Sequence, residues 1–454
     1  MTRPKFFRDP IHLQIRFDPF DGTIEPATLP REPQISWALQ ELIDSKPLQR
    51  LRAIRQNGLA NYVFHGAEHS RFAHSMGVSY LARIMFERLC RNMSIEEVQR
   101  EKLQVSVASL VHDVGHGPFS HTLEEILKEA NIEFHHETMT RRMIEEEGGA
   151  IYEILSKIDD ALPQEVSLFF RKKKPEEHWK YRIISSQMDA DRLDYSHRDA
   201  QFSGIKGHGF DLERLLDLIF IHEGTSIAVD RTGLSAVEAY LVTLDHLWRS
   251  IYYHQGVRAA TKMLTSLFRR AVFLHRDGIP DIFPTRRQGD FHPFALLLEK
   301  GNEIDLNEYC RLTDHVVWEL LDYWARHDDF VLSDLSNRIV CRKLLKAMPV
   351  DLSDLEAVFA FKQKAEEETK KVLGRHADMQ EYYLLLDGPD RTSYKTYNWK
   401  PESQIESIWL TGGGKDDTPI EDGEESRMIV ALKDARKFDR YLMLPEVRDS
   451  LVQS

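Results

Sequence analysis

The chain has 454 residues, of which 42% are hydrophobic, 29% charged and 10% aromatic, a globular composition that excludes disordered, collagen-like and mini-protein classes. Its formal net charge of -13, from 60 Lys+Arg against 73 Asp+Glu, excludes a surface basic throughout, as nonspecific duplex binding would need. Cys90, Cys310 and Cys341 lie far apart, so no zinc knuckle or redox dithiol is expected, and reduced cysteines point to a cytoplasmic protein. Met1 to Phe17 is charged, without the apolar stretch of a signal peptide, and no membrane span is expected.

Taken in chain order, the predicted elements are mostly helical. A short strand is read at 11–17, before the turn-like run DPFDG at 18–22, and a Pro-rich loop at 21–33. Val78, Leu81, Met85 and Leu89 recur at helical spacing, and an apolar helix runs from Leu103 to Val111, where Gly-His-Gly-Pro at 115–118 should stop it. A basic loop follows at 171–177. Helical spacing returns at Leu215, Leu218 and Ile219, and at Leu241, Leu244 and Trp248, with short strands at 226–229 and 406–410 and an acidic, Gly-rich loop at 412–425. The segment 278–293, with Pro280, Pro284 and Gly289, is the expected boundary between a core at 1–280 and a C-terminal lobe at 281–454. The expected fold is mainly α: a helical bundle with small β-hairpins, followed by an α-rich lobe with some strand.

Histidines crowd the first half: His65, His69, His74, His112, His116, His121, His135 and His136. A single histidine on a helix is usually a hydrogen-bonded core or surface residue, but these come with carboxylates at useful spacings. His112 and Asp113 fall in the last turn of the predicted helix. Neighbours there point about 100° apart, so both can reach an ion beyond the helix end. Arg71 and His74, three apart, share a helix face. Asp191, Tyr195 and Asp199 form one helical stripe of acid, phenol and acid, which a core-facing stripe rarely carries. The ordinary reading of such a stripe is a solvated face, and the neighbouring His74 and His112-Asp113 argue against it. Mixed N and O ligands suit a divalent ion such as Mn, Mg, Fe, Zn or Ni, without choosing among them.

These residues, in this order, resemble the HD-domain metallophosphohydrolase superfamily, whose pattern is a His, an adjacent His-Asp and a distant Asp. The runs FFRDPIH at 6–12, DSKPLQRLR at 44–52, YVFHGAEHSRFAHSMG at 62–77, HDVGHGPFSH at 112–121 and DRLDYSHRD at 191–199 resemble its dNTP triphosphohydrolase branch. The likeness covers residues 5–260, and five joint segments are specific where His-Asp alone is weak.

The resemblance implies metal ligation by His74, His112, Asp113 and Asp191, and proton handling by His116, Glu124 and His136, with Glu124 orienting His116. The family has Asp where this chain has Glu124. By the same resemblance Arg71, His121, Arg192 and Tyr195 bind the triphosphate, Gln56 and Asp199 read the deoxyribose 3′-hydroxyl, and Tyr252 lies near sugar and base. Asp44, Gln49 and Arg52 match a trio that binds a guanine nucleotide between subunits, which implies GTP or dNTP activation and a homo-oligomer, dimer or tetramer.

Departures occur at Leu244, where the family has a phosphate-contacting Arg, and at Arg8 and Gln255, where regulatory positions differ. Residues 21–34 read as an insertion, and no sterile-alpha-motif domain is expected before the core. The expected reaction converts dNTP and water to deoxynucleoside and triphosphate. Two competing readings are another HD chemistry, such as a nucleotide phosphatase, a phosphodiesterase or an alarmone hydrolase, and a nucleotide sensor or nucleic-acid scaffold using Lys172–Lys174 and Arg286-Arg287. Short basic runs are more often solvated loops, so nucleic acid is not favoured.

Overall fold

A computed structural model describes residues 4–171, 178–206, 209–285, 290–388, 407–422, 426–432 and 438–453. The basic runs at 172–174 and 286–287 lie outside the described residues, as do parts of the boundary at 278–293 and of the loop at 412–425.

The chain opens with β1 (Lys5–Asp9) and β2 (Leu13–Phe17), an antiparallel hairpin in register Lys5 with Phe17. It buries Ile15 and Phe17 on one face, the period-2 pattern of a half-buried strand. The turn takes residues 10–12, so the strand expected at 11–17 begins two residues later, with Leu13 at a φ of 60°.

Helix α1 (Arg31–Asp44) begins inside the expected loop at 21–33, because Gln34, Ile35, Ala38, Leu39 and Leu42 already bury a helical stripe. After α2 (Lys46–Arg50), the bundle centre is built from α3 (Arg71–Leu89) and α4 (Ile95–Val111). Ser94 and Glu97 form a capping box at the start of α4, satisfying two otherwise orphaned donors. Then come α5 (His121–Glu129), α6 (His136–Glu145), α7 (Ala150–Ser156), α8 (Leu162–Ser167) and α9 (Ala190–Ser203). Helix α9 starts on the Asp189 side chain, which accepts the Arg192 N–H, and ends at Gly204 with φ 73°, the left-handed cap glycine supplies without steric cost.

The run read as helical around Leu215 to Ile219 divides: α10 (Leu212–Asp217) stops and β3 (Ile219–His222) turns back on β4 (Ser226–Asp230). Helix α11 (Leu234–Leu247) passes into a π-helical turn at Trp248–Tyr252, and α12 (Gln255–Arg276) follows.

The C-terminal part is also mostly helical: α13 (Pro293–Lys300), α14 (Leu306–Tyr309), α15 (Asp314–Trp324), α16 (Phe330–Val340), α17 (Leu355–Leu373), α18 (Arg427–Leu432) and α19 (Pro445–Gln453). Its strands are β5 (Lys346–Pro349), β6 (Leu385–Asp387), β7 (Trp409–Thr411), β8 (Thr418–Pro419) and β9 (Arg440–Met443). β9 lies between β5 and β6, and β7 pairs parallel with β4. One contiguous apolar cluster runs from Ile15 to Val447. No described helix is long and apolar enough to cross a membrane.

Candidate metal centre and nucleotide cleft

Three elements aim side chains at one point. Helix α3 brings His74 from its first turn, the α4 end brings His112 and Asp113, and the α9 start brings Asp191. Helix α4 stops at Val111, so His112 caps it and Asp113 lies just past it, rather than both in its last turn. Ligand atoms of His74, His112 and Asp113 all lie within 4.8 Å of one another. Asp191 Oδ1 is 2.9 Å from His74 Nε2 and 3.9 Å from His112 Nε2.

The protonation pattern fits a cation. His112 Nδ1–H donates to the Ser109 carbonyl at 2.9 Å. Its Nε2 is therefore a bare lone pair, buried, without a hydrogen-bond partner among the described residues, and 3.3 Å from Asp113 Oδ1. A lone pair facing carboxylate oxygens is the arrangement a divalent ion completes. His74 Nδ1–H donates to Asp194 Oδ2 at 2.7 Å, which turns Nε2 toward the same point. Without a metal, burial disfavours the charged His74 ring, yet the bonds to Asp191 and Asp194 outweigh it and raise the imidazole to about 10. Asp113 resists burial through Arg71, His112 and His74 and stays well below the usual carboxylate range. Those directions describe a site that keeps negative charge available for a cation.

Beside the centre, Arg71 Nη1 donates to Asp113 Oδ2 at 2.5 Å and its Nε to Ser120 Oγ at 2.8 Å. Phe119 and Ser120 both have positive φ, 52° and 60°, a sparsely populated conformation for non-glycine residues. Two backbone anchors hold it: the Phe119 N–H donates to Asp314 at 2.7 Å, and Ser120 Oγ donates to the Arg55 carbonyl at 2.8 Å.

The expected orientation of His116 by Glu124 is not formed. Glu124 Oε1 instead accepts from His136 Nδ1 at 2.5 Å and from the His136 backbone N–H at 3.0 Å. Its Oε2 accepts a longer contact from His121 Nδ1 at 3.4 Å. The reason is local: α5 starts only at His121, which puts Glu124 over the first turn of α6 rather than over the preceding loop. His136 in turn stacks on His116, with ring centroids 3.9 Å apart. Burial, then the charges of Arg71 and His136, push the His116 imidazole well below its ordinary range.

Next to these groups opens a cleft of about 920 Å³, lined by His121 but not by His116, Glu124 or His136. Its lining includes Gln56, Arg71, His121, Asp191, Arg192, Tyr195, Asp199 and Tyr252, so the residues expected to bind triphosphate, sugar and base share one space with a ligand of the metal centre. Lys128, Arg258 and Lys262 also line it, Arg258 and Lys262 paired with Glu125 at 3.3 and 3.1 Å. About two turns along α9 from Asp191, Asp199 is fixed twice, by His69 Nε2–H at 2.7 Å and by the Tyr252 hydroxyl at 2.5 Å. Burial and the Asp199 charge hold the Tyr252 phenol neutral, well above its ordinary range. Leu244, in place of a family arginine, is buried in the core and contributes nothing to the cleft.

The expected regulatory trio lies at the α1–α2 junction. Asp44, exposed, pairs with Lys5 at 3.3 Å. Gln49 donates to the Ile43 carbonyl at 2.7 Å and accepts from Arg52 at 2.9 Å, and the Arg52 guanidinium stacks on Phe72 at 3.6 Å.

Four functional neighbours have no assigned role in the sequence pattern: Asp194, His69, Asp314 and Arg50. Asp194 is visible within the run DRLDYSHRD, three residues after Asp191 and on the adjacent stripe. The others bond across 64 positions or more, with no local signal.

The HD domain family profile matches residues 71–199, the segment that carries all four expected metal ligands. The uncharacterized protein YwfO of Bacillus subtilis is 29% identical over 450 residues, covering 98% of this chain and 93% of its own. The deoxynucleoside triphosphate triphosphohydrolase SAMHD1 of Gallus gallus is 28% identical over 374 residues, covering 75% of this chain and 55% of its own. The human SAMHD1 is 29% identical, with 50% of its length covered, so this chain spans about half the length of the triphosphohydrolases it matches. Among solved structures, a phosphohydrolase of Bacteroides thetaiotaomicron superposes with a TM-score of 0.75 at 21% identity, over 97% of this chain and 98% of that one. Motif order, metal-centre geometry and these likenesses agree that the chain carries an HD domain at residues 71–199 and is related to a branch that includes deoxynucleoside triphosphate triphosphohydrolases.

Proposed function

We propose that the chain is a metal-dependent deoxynucleoside triphosphate triphosphohydrolase, converting dNTP and water to deoxynucleoside and intact triphosphate. The observation that carries this reading is the single cleft in which cationic Arg71, bonded to Asp113, and Arg192, next to Asp191, lie near the metal centre while Asp199, with Tyr252 bonded to it, stands about two turns further along α9. A deoxynucleotide has that polarity, with polyanion at one end and a hydroxyl-bearing sugar at the other.

A divalent ion held by His74, His112, Asp113 and Asp191 would polarise a phosphoryl oxygen and lower the pKa of water. Arg71 and Arg192, with His121, offset the charge of the phosphates; phosphoryl transfer depends mainly on such positioning and electrostatics. The bond broken joins the α-phosphorus to O5′, the water oxygen goes to phosphorus, and O5′ must gain a proton. The stacked His116–His136 pair supplies it, with Glu124 fixing the His136 ring through Nδ1. Asp199, pinned by His69 and Tyr252, accepts from the 3′-hydroxyl, with Gln56 beside it. Tyr195 packs against Tyr252, ring centroids 6.4 Å apart, and closes the sugar side.

The same reading includes activation by GTP or a second dNTP at Asp44, Gln49 and Arg52 within a homo-oligomer. Exposure of Asp44 and the flat guanidinium of Arg52 support it. The test is purified protein with Mn²⁺ or Mg²⁺ and each dNTP, with and without GTP, resolving nucleoside, triphosphate, pyrophosphate and phosphate. Nucleoside with intact triphosphate is the expected result, faster per enzyme when GTP is present. Phosphate from nucleoside monophosphates, or opening of cyclic nucleotides, would assign another HD chemistry.

A further inference from the structure

His74 is held from behind by a carboxylate that is itself held by the N-terminal hairpin. Asp194, on α9, is wholly buried. Its Oδ2 accepts from His74 Nδ1 at 2.7 Å and from Arg198 Nε at 2.7 Å. Its Oδ1 accepts from Arg198 Nη2 at 2.9 Å and from His12 Nε2 at 2.7 Å. A carboxylate offers about four lone-pair sites, and here all four are filled by donors from three separate elements.

The chain of bonds continues outward. Arg198 Nη1 donates to Asp9 Oδ2 at 2.9 Å. Asp9 Oδ1 accepts the backbone N–H groups of Ile11 and His12, each at 2.9 Å, and so shapes the β1–β2 turn that presents His12. The His12 ring also rests on Tyr80, centroids 5.1 Å apart. Space for this hub exists only because residue 77 on α3 is glycine. A Cβ there would stand 2.0 Å from Asp194 Oδ1 and 2.4 Å from Arg198 Nη2.

We propose that Asp194, Arg198, Asp9 and His12 act as one positioning unit, through which docking of the N-terminal hairpin sets the tautomer and placement of His74 and hence the metal affinity of the centre. The inference rests on His74 being a metal ligand, and it adds a dependence on a hairpin that contributes no residue to the cleft lining. A carboxylate behind a ligating imidazole fixes which nitrogen carries the proton, and its loss typically lowers metal affinity roughly 10–100-fold. With His12 gone, one Asp194 lone pair loses its donor and the carboxylate is free to rotate about Arg198. The hairpin end that Lys5 ties to Asp44 is thereby joined, through one hydrogen-bonded path, to the metal centre.

The test is Mn²⁺ binding by calorimetry to the full chain, freed of metal, with a thermal melt of each metal-free variant. Asp113→Ala is the control and should abolish tight binding; if it binds as wild type, the assignment of the centre itself is wrong, independently of the hairpin. With that control in place, Asp194→Asn should weaken Mn²⁺ binding about 10–100-fold, and His12→Ala about tenfold, one bond further out. His12→Gln, whose amide can donate to Asp194, should restore most of the affinity. If His12→Ala lowers the melting temperature but binds Mn²⁺ as tightly as wild type, the hairpin is only structural and the inference is overturned. It is overturned equally if Asp194→Asn fails to fold while His12→Ala folds and keeps full affinity.

Discussion

Arg50 sets up the sharpest test of how the motif loop is held. It lies on α2, 6% exposed, and all three of its acceptors are main-chain carbonyls: Leu312 at 3.0 Å, Val114 at 3.1 Å and His116 at 2.6 Å. Its guanidinium lies over Tyr309, 4.7 Å from the ring centroid, and the Tyr309 hydroxyl donates to the Gly115 carbonyl at 2.6 Å. The loop after His112-Asp113 thus has three successive carbonyls held from outside. Arg50→Met preserves much of the apolar stem but orphans three buried acceptors. At the low end of about 1–3 kcal/mol each, with about 1 kcal/mol for the cation–π contact, the gross loss is about 4 kcal/mol. Removing the cost of burying a cation returns part of that, so about 3 kcal/mol is the expected net destabilisation. Arg50→Lys, a point charge without the planar fork, should recover about 1 kcal/mol through a single carbonyl. Urea unfolding followed by far-ultraviolet circular dichroism reads this as a lower midpoint at unchanged slope. Turnover should fall further than Mn²⁺ affinity, because the loosened carbonyl belongs to His116 rather than to a ligand. A methionine variant within about 1 kcal/mol of wild type would refute the idea that this arginine carries the loop.

Three further outcomes follow from the same geometry. Burial raises the Asp314 carboxyl to about 6, despite its bonds from the Phe119 and Arg55 backbone. The folded protein then binds a proton that the unfolded chain releases near the ordinary aspartate value, so this group's contribution to stability is full below about pH 4 and declines up to about pH 6, by about 3 kcal/mol. Asp314→Asn should flatten that slope in denaturation curves taken from pH 4 to 6.5, and an unchanged slope would exclude Asp314 as its source. His116→Ala should keep Mn²⁺ stoichiometry while losing roughly 10²–10⁴ in rate, measured by nucleoside release; full activity would remove His116 from the proton path. Gly77→Ala drives a methyl into the Asp194–Arg198 pair and should cost about 3–5 kcal/mol, the penalty for breaking a buried ion pair, seen as a lowered melting temperature.

What was legible in the sequence is what repeats or sits close by. The helical stripe Asp191, Tyr195, Asp199 needs only the 3.6-residue period, and all three side chains do line one cleft. The His-Asp pair needs only a helix stop, and the helix ends at Val111, just before the pair instead of just after it. The elements misread were those where local and tertiary preferences compete: Ile219 fits a helical spacing but enters β3 because Val229 pairs with it across a hairpin.

The groups that steady the site were invisible for a different reason. His12 reaches Asp194 across 182 positions, and Arg50 reaches Leu312 across 262; no periodicity encodes such pairings. Their residue types gave no warning either, since an arginine one step from the expected regulatory Gln49 reads as another surface charge on a helix. In three dimensions the distinction is one of facing. Gln49 and Arg52 bond each other at the surface, while Arg50, between them, turns inward and holds the His116 carbonyl. A helix only five residues long therefore has one face where a nucleotide is expected and the other on the loop that follows the His-Asp pair. A nucleotide bound on the Gln49 face would reach that loop by way of Arg50, whose bond to the His116 carbonyl, at 2.6 Å, is short, buried and charge-assisted.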